Sequence, residues 1–334
     1  MSAEIVGEIN VSSCRSVKQV RFSCTACGAC CNTPPGVQLE EIVSQSRHFV
    51  LGAEIRLMWV PDLSDAEQLK SLRASFPFHN LTSGSEASKA IAEHLEKIGQ
   101  YRGIRIENAL VRSAKSYLTL SFQDAAVASA EKCPKLRDNG LCDIHEDRPT
   151  KCRTVPFDET IPESLAGIEA RNSIDALRML GGECDTSRTA EIVWKNGKFM
   201  DERLKFDHAV GYAHEHDRIT SACRAVLEEI VRYFSLGMNA EAGDVIRSLE
   251  ILISRGTIPF VNLIPVLWRL NEGGWLAKEQ SMEVLKNQIA LIGDRLLDID
   301  VYSMAPGFPE RSLAELLEEW LSMYENTLSN WSQA

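Results

Sequence analysis

Several features that usually announce a function are missing from this sequence. It has no long apolar run. The most hydrophobic later stretch, Thr257 to Leu270, is broken by Pro259, Asn262 and Pro265, and it falls short of the ~20 apolar residues a membrane-spanning helix needs. The first thirty residues carry no apolar core of the secretory kind, so a cytosolic protein with no membrane partner is expected. Positive charge is in deficit: 36 Lys and Arg against 47 Asp and Glu leave a formal net charge of −11. That speaks against nucleic acid as a partner, because phosphate binding draws on a surplus of cationic side chains. No P-loop, nucleophile elbow or kinase signature occurs, and Arg178-Met179-Leu180-Gly181-Gly182 lacks the preceding strand of a dinucleotide fingerprint. The stretch Asp207 to Asp217 holds His208, His214 and His216 but no H-E-x-x-H pair, and such a charged cluster is expected to be solvated or satisfied within the core.

Cysteine, by contrast, is plentiful. The chain has 334 residues and ten cysteines, with 44% hydrophobic and 25% charged residues. That composition is ordinary for a soluble globular protein and supports a core without disulfides. In a reducing compartment clustered cysteine points to metal binding or catalysis. The clustering is tight. Phe22-Ser23-Cys24-Thr25-Ala26-Cys27-Gly28-Ala29-Cys30-Cys31 packs its thiols into one stretch. A second segment answers it: Cys133-Pro134, then Asn139-Gly140-Leu141-Cys142-Asp143-Ile144-His145, then Arg148-Pro149-Thr150-Lys151-Cys152-Arg153.

A C-x-x-C unit lets two sulfurs converge on one ion, because the turn between them aims backbone amides at the sulfurs. Cys24/Cys27 and Cys27/Cys30 are overlapping units of this kind, and Gly28 permits the tight dihedrals such a turn demands. Adjacent residues direct their side chains apart, so Cys30 and Cys31 are not expected to serve one metal atom together; either one of them stands behind the ligands, or the site is polynuclear or double. The candidate ligands are Cys24, Cys27, Cys30, Cys31, Cys133, Cys142, Cys152 and Cys184, the last in Gly181-Gly182-Glu183-Cys184-Asp185. Tetrahedral sulfur coordination suits zinc or iron–sulfur, and eight thiols are enough for two such sites or for one cluster with spare ligands. His145 is a candidate ligand or proton donor. Arg148 and Arg153, flanking Cys152, are placed to offset thiolate charge. Cys14 and Cys223 are isolated and read as ordinary free cysteines.

The expected fold class is α+β. Residues 1–204 are read as a small, irregular, metal-stapled cysteine-cluster domain with a few short strands and a helical insertion at about 62–112. Residues 205–334 are read as an all-α C-terminal region. The strand candidates are a leader marked by Ile5, Val6 and Ile9, the alternating run Ser116 to Phe122, and a hairpin from Ile192 to Met200 around Asn196-Gly197. Val37 to Val43 is read as an extended piece passing into a helix. Helices are expected over 62–74, 84–100, 161–180, 205–235, 239–255, 258–271, 277–296 and 310–330. The helical half is expected to recruit another protein or to cover the cysteine site.

With both segments in view, the chain resembles the YkgJ-type cysteine-cluster family, the CxxCxxCC proteins described as zinc- or iron-chelating domains. The resemblance rests on Phe22-x-Cys24-x-x-Cys27-Gly28-x-Cys30-Cys31, on Cys133, and on Gly140-x-Cys142-x-Ile144-His145-x-x-Arg148-Pro149-x-x-Cys152-Arg153, continued by Val155-Pro156-Phe157. It covers roughly residues 15–60 and 115–190 and implies a zinc or iron–sulfur site. The same family includes flagellin lysine N-methylases, which implies S-adenosylmethionine as a further cofactor and protein lysines as a substrate class. A metal-stapled interaction module, with the metal supplying folding energy, is the remaining expectation.

Overall fold

The computed structural model describes residues 17–31, 35–60, 86–107, 109–110, 115–125, 132–159, 161–179, 181–216, 218–257, 259–298, 304–305 and 308–333. The expected leader marks Ile5, Val6 and Ile9, the isolated Cys14 and the helix expected over 62–74 lie outside these residues.

The fold is α+β, as its sequence patterning implies. Its largest sheet is antiparallel and runs Ile104–Arg105, Lys115–Asp124, Leu51–Val60, Phe260–Val261. The two long strands pair without interruption from Leu51 opposite Asp124 to Val60 opposite Lys115. Side chains alternate between faces along a strand, so one face presents the cross-strand pairs Ala53/Phe122, Ile55/Leu120 and Leu57/Leu118. Most of these are fully buried and join one core with the C-terminal helices. The other face carries Met58 and Tyr117, and helix Glu86–Arg102 closes on them at Gly99, where an added Cβ would sit 2.6 Å from both side chains.

Strand Leu51–Val60 falls outside the expected elements, although its alternation is plain. The helix expected over 258–271 is corrected: Phe260–Val261 is a strand on the edge of this sheet, paired with Ala53 and Glu54, and the helix runs Ile264–Glu272 with Pro265 in its first turn. Two β-favouring side chains next to a proline prefer the sheet edge, where Pro259 still offers its carbonyl to the Ile55 amide at 3.0 Å. The C-terminal region is otherwise helical, with Arg218–Met238, Ala242–Ser254, Lys278–Asp298 and Leu313–Gln333 as its main elements, beside the short pair Met304–Ala305 and Phe308–Ser312. The larger core is continuous across residue 205, running from Val37 and Leu51 to Leu267, Leu285 and Tyr324.

One polar side chain ties the two halves together. Gln288 is fully buried. Its Oε1 accepts from the Leu51 amide at 2.7 Å, and its Nε2 donates to the carbonyls of Ser46 and Phe49, both at 2.9 Å. Truncation leaves three buried backbone groups without partners, and each orphaned group costs about 1–3 kcal/mol. Gln288→Ala is expected to destabilise the chain by about 3 kcal/mol in urea unfolding. A loss below ~1 kcal/mol would mean that the backbone finds other partners.

A second, smaller core lies under the cysteine segments. Helix Glu163–Met179 packs against a three-stranded sheet ordered Gln19–Arg21, Ile192–Lys195, Lys198–Phe199. Its Gly167 lets the Trp194 ring approach to where a Cβ would be 2.4 Å away, and Trp194 Nε1 donates to the Glu163 carbonyl at 2.9 Å. The hairpin turns at Asn196-Gly197 as expected, both residues having left-handed φ. Among the described residues no helix is long and apolar enough to cross a membrane.

Candidate metal centre

The first cysteine loop is held from two sides. Ser23 exchanges backbone hydrogen bonds with Asp185 (2.9 and 3.1 Å), and Thr25 Oγ1 donates to the Glu183 carbonyl at 3.2 Å. These bonds set Cys24 and Cys27 beside Cys184. On the other side Cys133 N donates to the Cys31 carbonyl at 2.8 Å. Gly28 (φ 73°) lies against the Leu136 side chain, which would be 3.2 Å from an added Cβ.

The second segment folds back on itself. Leu136 and Cys142 are bridged, Asp143 N donates to the Lys135 carbonyl at 2.7 Å, and the Asn139-Gly140 turn forms the tip. That tip presses on the first loop: a Cβ on Gly140 (φ 79°) would fall 2.2 Å from the Ala26 carbonyl oxygen. Ala26 itself has φ 56°, a left-handed backbone for a residue with a Cβ. Strain of that sort is retained where surrounding contacts demand it. Cys152 sits on the single turn Thr150–Arg153. The turn is anchored by the buried Glu41, whose Oε1 accepts from Thr150 N and Oγ1 at 2.8 and 2.7 Å and whose Oε2 accepts from Gln38 N at 3.2 Å.

The amides around the sulfurs point inward. Ala26 N donates to Cys24 Sγ at 3.4 Å. The Ala29 N–H bonds to the Cys27 sulfur and holds that thiol below its ordinary range, helped by the Glu183 amide, the Thr25 hydroxyl and the Cys184 thiol. The Lys135 N–H bonds to the Cys133 sulfur, although burial dominates there and pushes the thiol up. Cys24, Cys27 and Cys133 therefore share one arrangement, a sulfur accepting from the amide two residues on. Cys30 and Cys31 have sulfurs 4.0 Å apart. Their hydrogen bond is the main reason that Cys30 is driven up and Cys31 is drawn down. Burial pushes Cys152 up to about 12 and Cys184 up to about 11.

The eight candidate cysteines all fall in this region. Cys223, buried in the larger core, is a separate core residue as its isolation suggests. All nine described cysteines are free. Among the described residues no three Cys, His, Asp or Glu side chains stand close enough to hold an ion as they are. Arg148 acts on Cys152 and favours its thiolate. Arg153 does not share that role: its Nε lies 3.2 Å from Asp207 Oδ1, and its Nη2 4.0 Å from Glu41 Oε1. His145 is exposed, and its described contacts are to Arg148. His208 is buried and ring-packed against Phe199, with centroids 4.7 Å apart. The side chains of His214 and His216 lie outside the described residues. Glu41, Thr25 and the carbonyl of Glu183 were not legible as site residues, because each reaches its partner across more than a hundred residues.

No family model matches the chain, and neither does any curated protein or solved structure.

Proposed function

We propose that this chain is a metal-binding protein of the cysteine-cluster type. It holds zinc or an iron–sulfur group between the Cys24–Cys31 loop and Cys133, Cys142, Cys152 and Cys184. The observation that carries this reading is the set of amides directed at sulfur. A buried cysteine acting as a small apolar side chain has no use for N–H groups at its sulfur, whereas thiolate ligands are stabilised and tuned by them. The donor set fits a soft, sulfur-seeking metal: eight thiols, no carboxylate among them, and Arg148 as a counter-charge. Cys27 and Cys31 are the first thiolates available, and metal binding draws the others inward and releases their protons. Zinc there supplies structural rigidity or Lewis acidity, and an iron–sulfur group supplies electron transfer. Thiols of this kind persist in a reducing compartment, which supports a cytoplasmic location. Exposed Tyr233, Leu236, Met238 and Trp268 on the helical half are where a protein partner docks in this reading.

The test is purification without oxygen, a visible spectrum, and a count of metal and acid-labile sulfide per chain. The expected result is at least one equivalent of zinc, or of iron with sulfide. A chain that carries no metal and takes up neither zinc nor iron at micromolar concentration overturns the proposal.

A further inference from the structure

We propose that the eight thiols form two separate four-sulfur sites that divide between Cys30 and Cys31. The outer site is Cys24, Cys27, Cys30 and Cys184; the inner site is Cys31, Cys133, Cys142 and Cys152. This rests on the metal-binding reading above and goes beyond it in assigning every ligand and in giving the two sites different exchange behaviour.

The main chain makes the division. The ladder between Ser23 and Asp185 and the Thr25 bond to Glu183 join the 24–27 turn to the segment carrying Cys184. The Cys133 amide is instead bonded to the Cys31 carbonyl, and Leu136 is bridged to Cys142. Electrostatic proximity sorts the sulfurs in the same way. Cys184 feels Cys27, Cys24 and Cys30, whereas Cys31 feels Cys133, Cys152 and Cys142; Cys152 in turn feels Cys133 and Cys142 but also Cys30, so the two groups meet at the adjacent pair. Each group so defined has three remote thiols and needs a fourth, and the adjacent pair supplies one to each. The 4.0 Å between the Cys30 and Cys31 sulfurs is close to the roughly 3.8 Å edge of a single tetrahedron built on a 2.3 Å zinc–sulfur bond. Distance alone therefore does not separate them; the backbone links do.

The two sites differ in shelter. Cys24, Cys27 and Cys30 are exposed and Cys184 is half-buried. In the inner group Cys133 is buried in the larger core, and Cys31, Cys142 and Cys152 are half-buried. A chelator or a metal-accepting partner reaches the outer ion directly, while the inner ion leaves only when the Cys133–Cys142 hairpin lifts. The outer site is thus the exchangeable one and the inner site the permanent one.

The experiment titrates the reduced, full-length chain with cobalt(II), reads the visible bands of tetrahedral thiolate cobalt, and then strips the metal with a chelator. The native chain is expected to take two equivalents and to release one at least tenfold faster than the other. Cys30→Ser and Cys184→Ser should each keep one equivalent that leaves slowly. Cys31→Ser and Cys142→Ser should each keep one that leaves fast. Neighbouring residues with opposite results are the signature of the division, and far-ultraviolet circular dichroism checks that each variant is folded. If a variant is unfolded, its partner in the same group supplies the result. Binding of a single equivalent by the native chain, loss of both equivalents in any folded variant, or matching behaviour of Cys30→Ser and Cys31→Ser overturns the division while leaving metal binding intact. No cobalt uptake at all instead removes the metal-binding reading on which the division rests.

Discussion

At pH 8.5 the Glu169→Gln chain should resist urea better than the native chain by about 4 kcal/mol, and at pH 5 the two should agree within ~1 kcal/mol. Glu169 lies on the inner face of helix Glu163–Met179 and is only 4% exposed. Its Oε2 accepts from the Asp158 amide at 2.9 Å, and its Oε1 is bonded to the Ser173 hydroxyl. Burial, with the nearby Asp158 carboxylate adding to it, pushes this carboxyl from its ordinary 4.5 up to about 8. A carboxyl raised in the folded state binds its proton more tightly there than in the unfolded chain. Stability is therefore full below about pH 4.5, declines as pH rises through the interval, and levels off above about pH 8. Each tenfold gain in proton affinity on folding corresponds to about 1.4 kcal/mol. Glutamine copies the neutral acid: its carbonyl accepts from Asp158 N, its amide donates to Ser173 Oγ, and it never ionises. Glu159, also buried and raised with desolvation as the first cause, keeps its own pH dependence in both proteins, and relief of the Glu169 charge adds slightly to the difference. Parallel stability curves for the two proteins across pH 5 to 8.5 would show that Glu169 is ionised in the native fold.

The candidate site of this protein is easier to read from its sequence than its architecture is. Cysteine spacing alone marks the two segments proposed to hold a metal, because four thiols from Cys24 to Cys31 have no packing explanation. The Asn196-Gly197 turn and the run from Ser116 to Phe122 were also readable, since their signals are local. The strand Leu51–Val60 carries an equally local signal in its alternating Leu51, Ala53, Ile55, Leu57 and Trp59, but Gly52 and Glu54 within it argue against a strand until the partners are known. Glu54 is accommodated there because Arg56 Nη2 and Gln123 Nε2 both reach its Oε2 at 2.6 Å. Phe260–Val261 is too short to carry any periodic signal, and only its pairing with Ala53 and Glu54 makes it a strand. The change of character near residue 205 is real in composition, yet Gln288 crosses it to hold Ser46, Phe49 and Leu51. The division of the thiols was out of reach for the same reason. Spacing names the candidate ligands, but only the Ser23–Asp185 and Cys31–Cys133 bonds carry the proposed grouping.

Gly140→Ala should separate the two cysteine segments, and Gly197→Ala supplies its control. Both glycines have left-handed φ, 79° and 87°, so alanine at either carries the same backbone penalty of about 1 kcal/mol. Around Gly197 nothing lies within 4 Å of an added Cβ, whereas at Gly140 that atom would fall 2.2 Å from the Ala26 carbonyl oxygen. The neighbour there is backbone, already held at φ 56°, and it cannot rotate aside as a side chain would. The tip of the Cys133–Cys142 hairpin must therefore lift from the Cys24–Cys31 loop, and the sulfurs on the two segments part. Gly197→Ala is expected to cost about 1 kcal/mol in urea unfolding and to leave metal affinity unchanged. Gly140→Ala is expected to cost about 3 kcal/mol in the metal-loaded protein, since overpacking against a fixed group adds roughly 1–3 kcal/mol to the backbone cost. In the proposed metal-binding reading both loops close on the ion, so the overpacking portion should reappear as a fall in affinity of about tenfold to a hundredfold, at ~1.4 kcal/mol per factor of ten. The loss should be concentrated at the inner site, whose Cys133 and Cys142 ride on the displaced hairpin. Equal effects of the two substitutions on metal affinity would mean that the contact between Ala26 and Gly140 plays no part in holding the cysteine segments together.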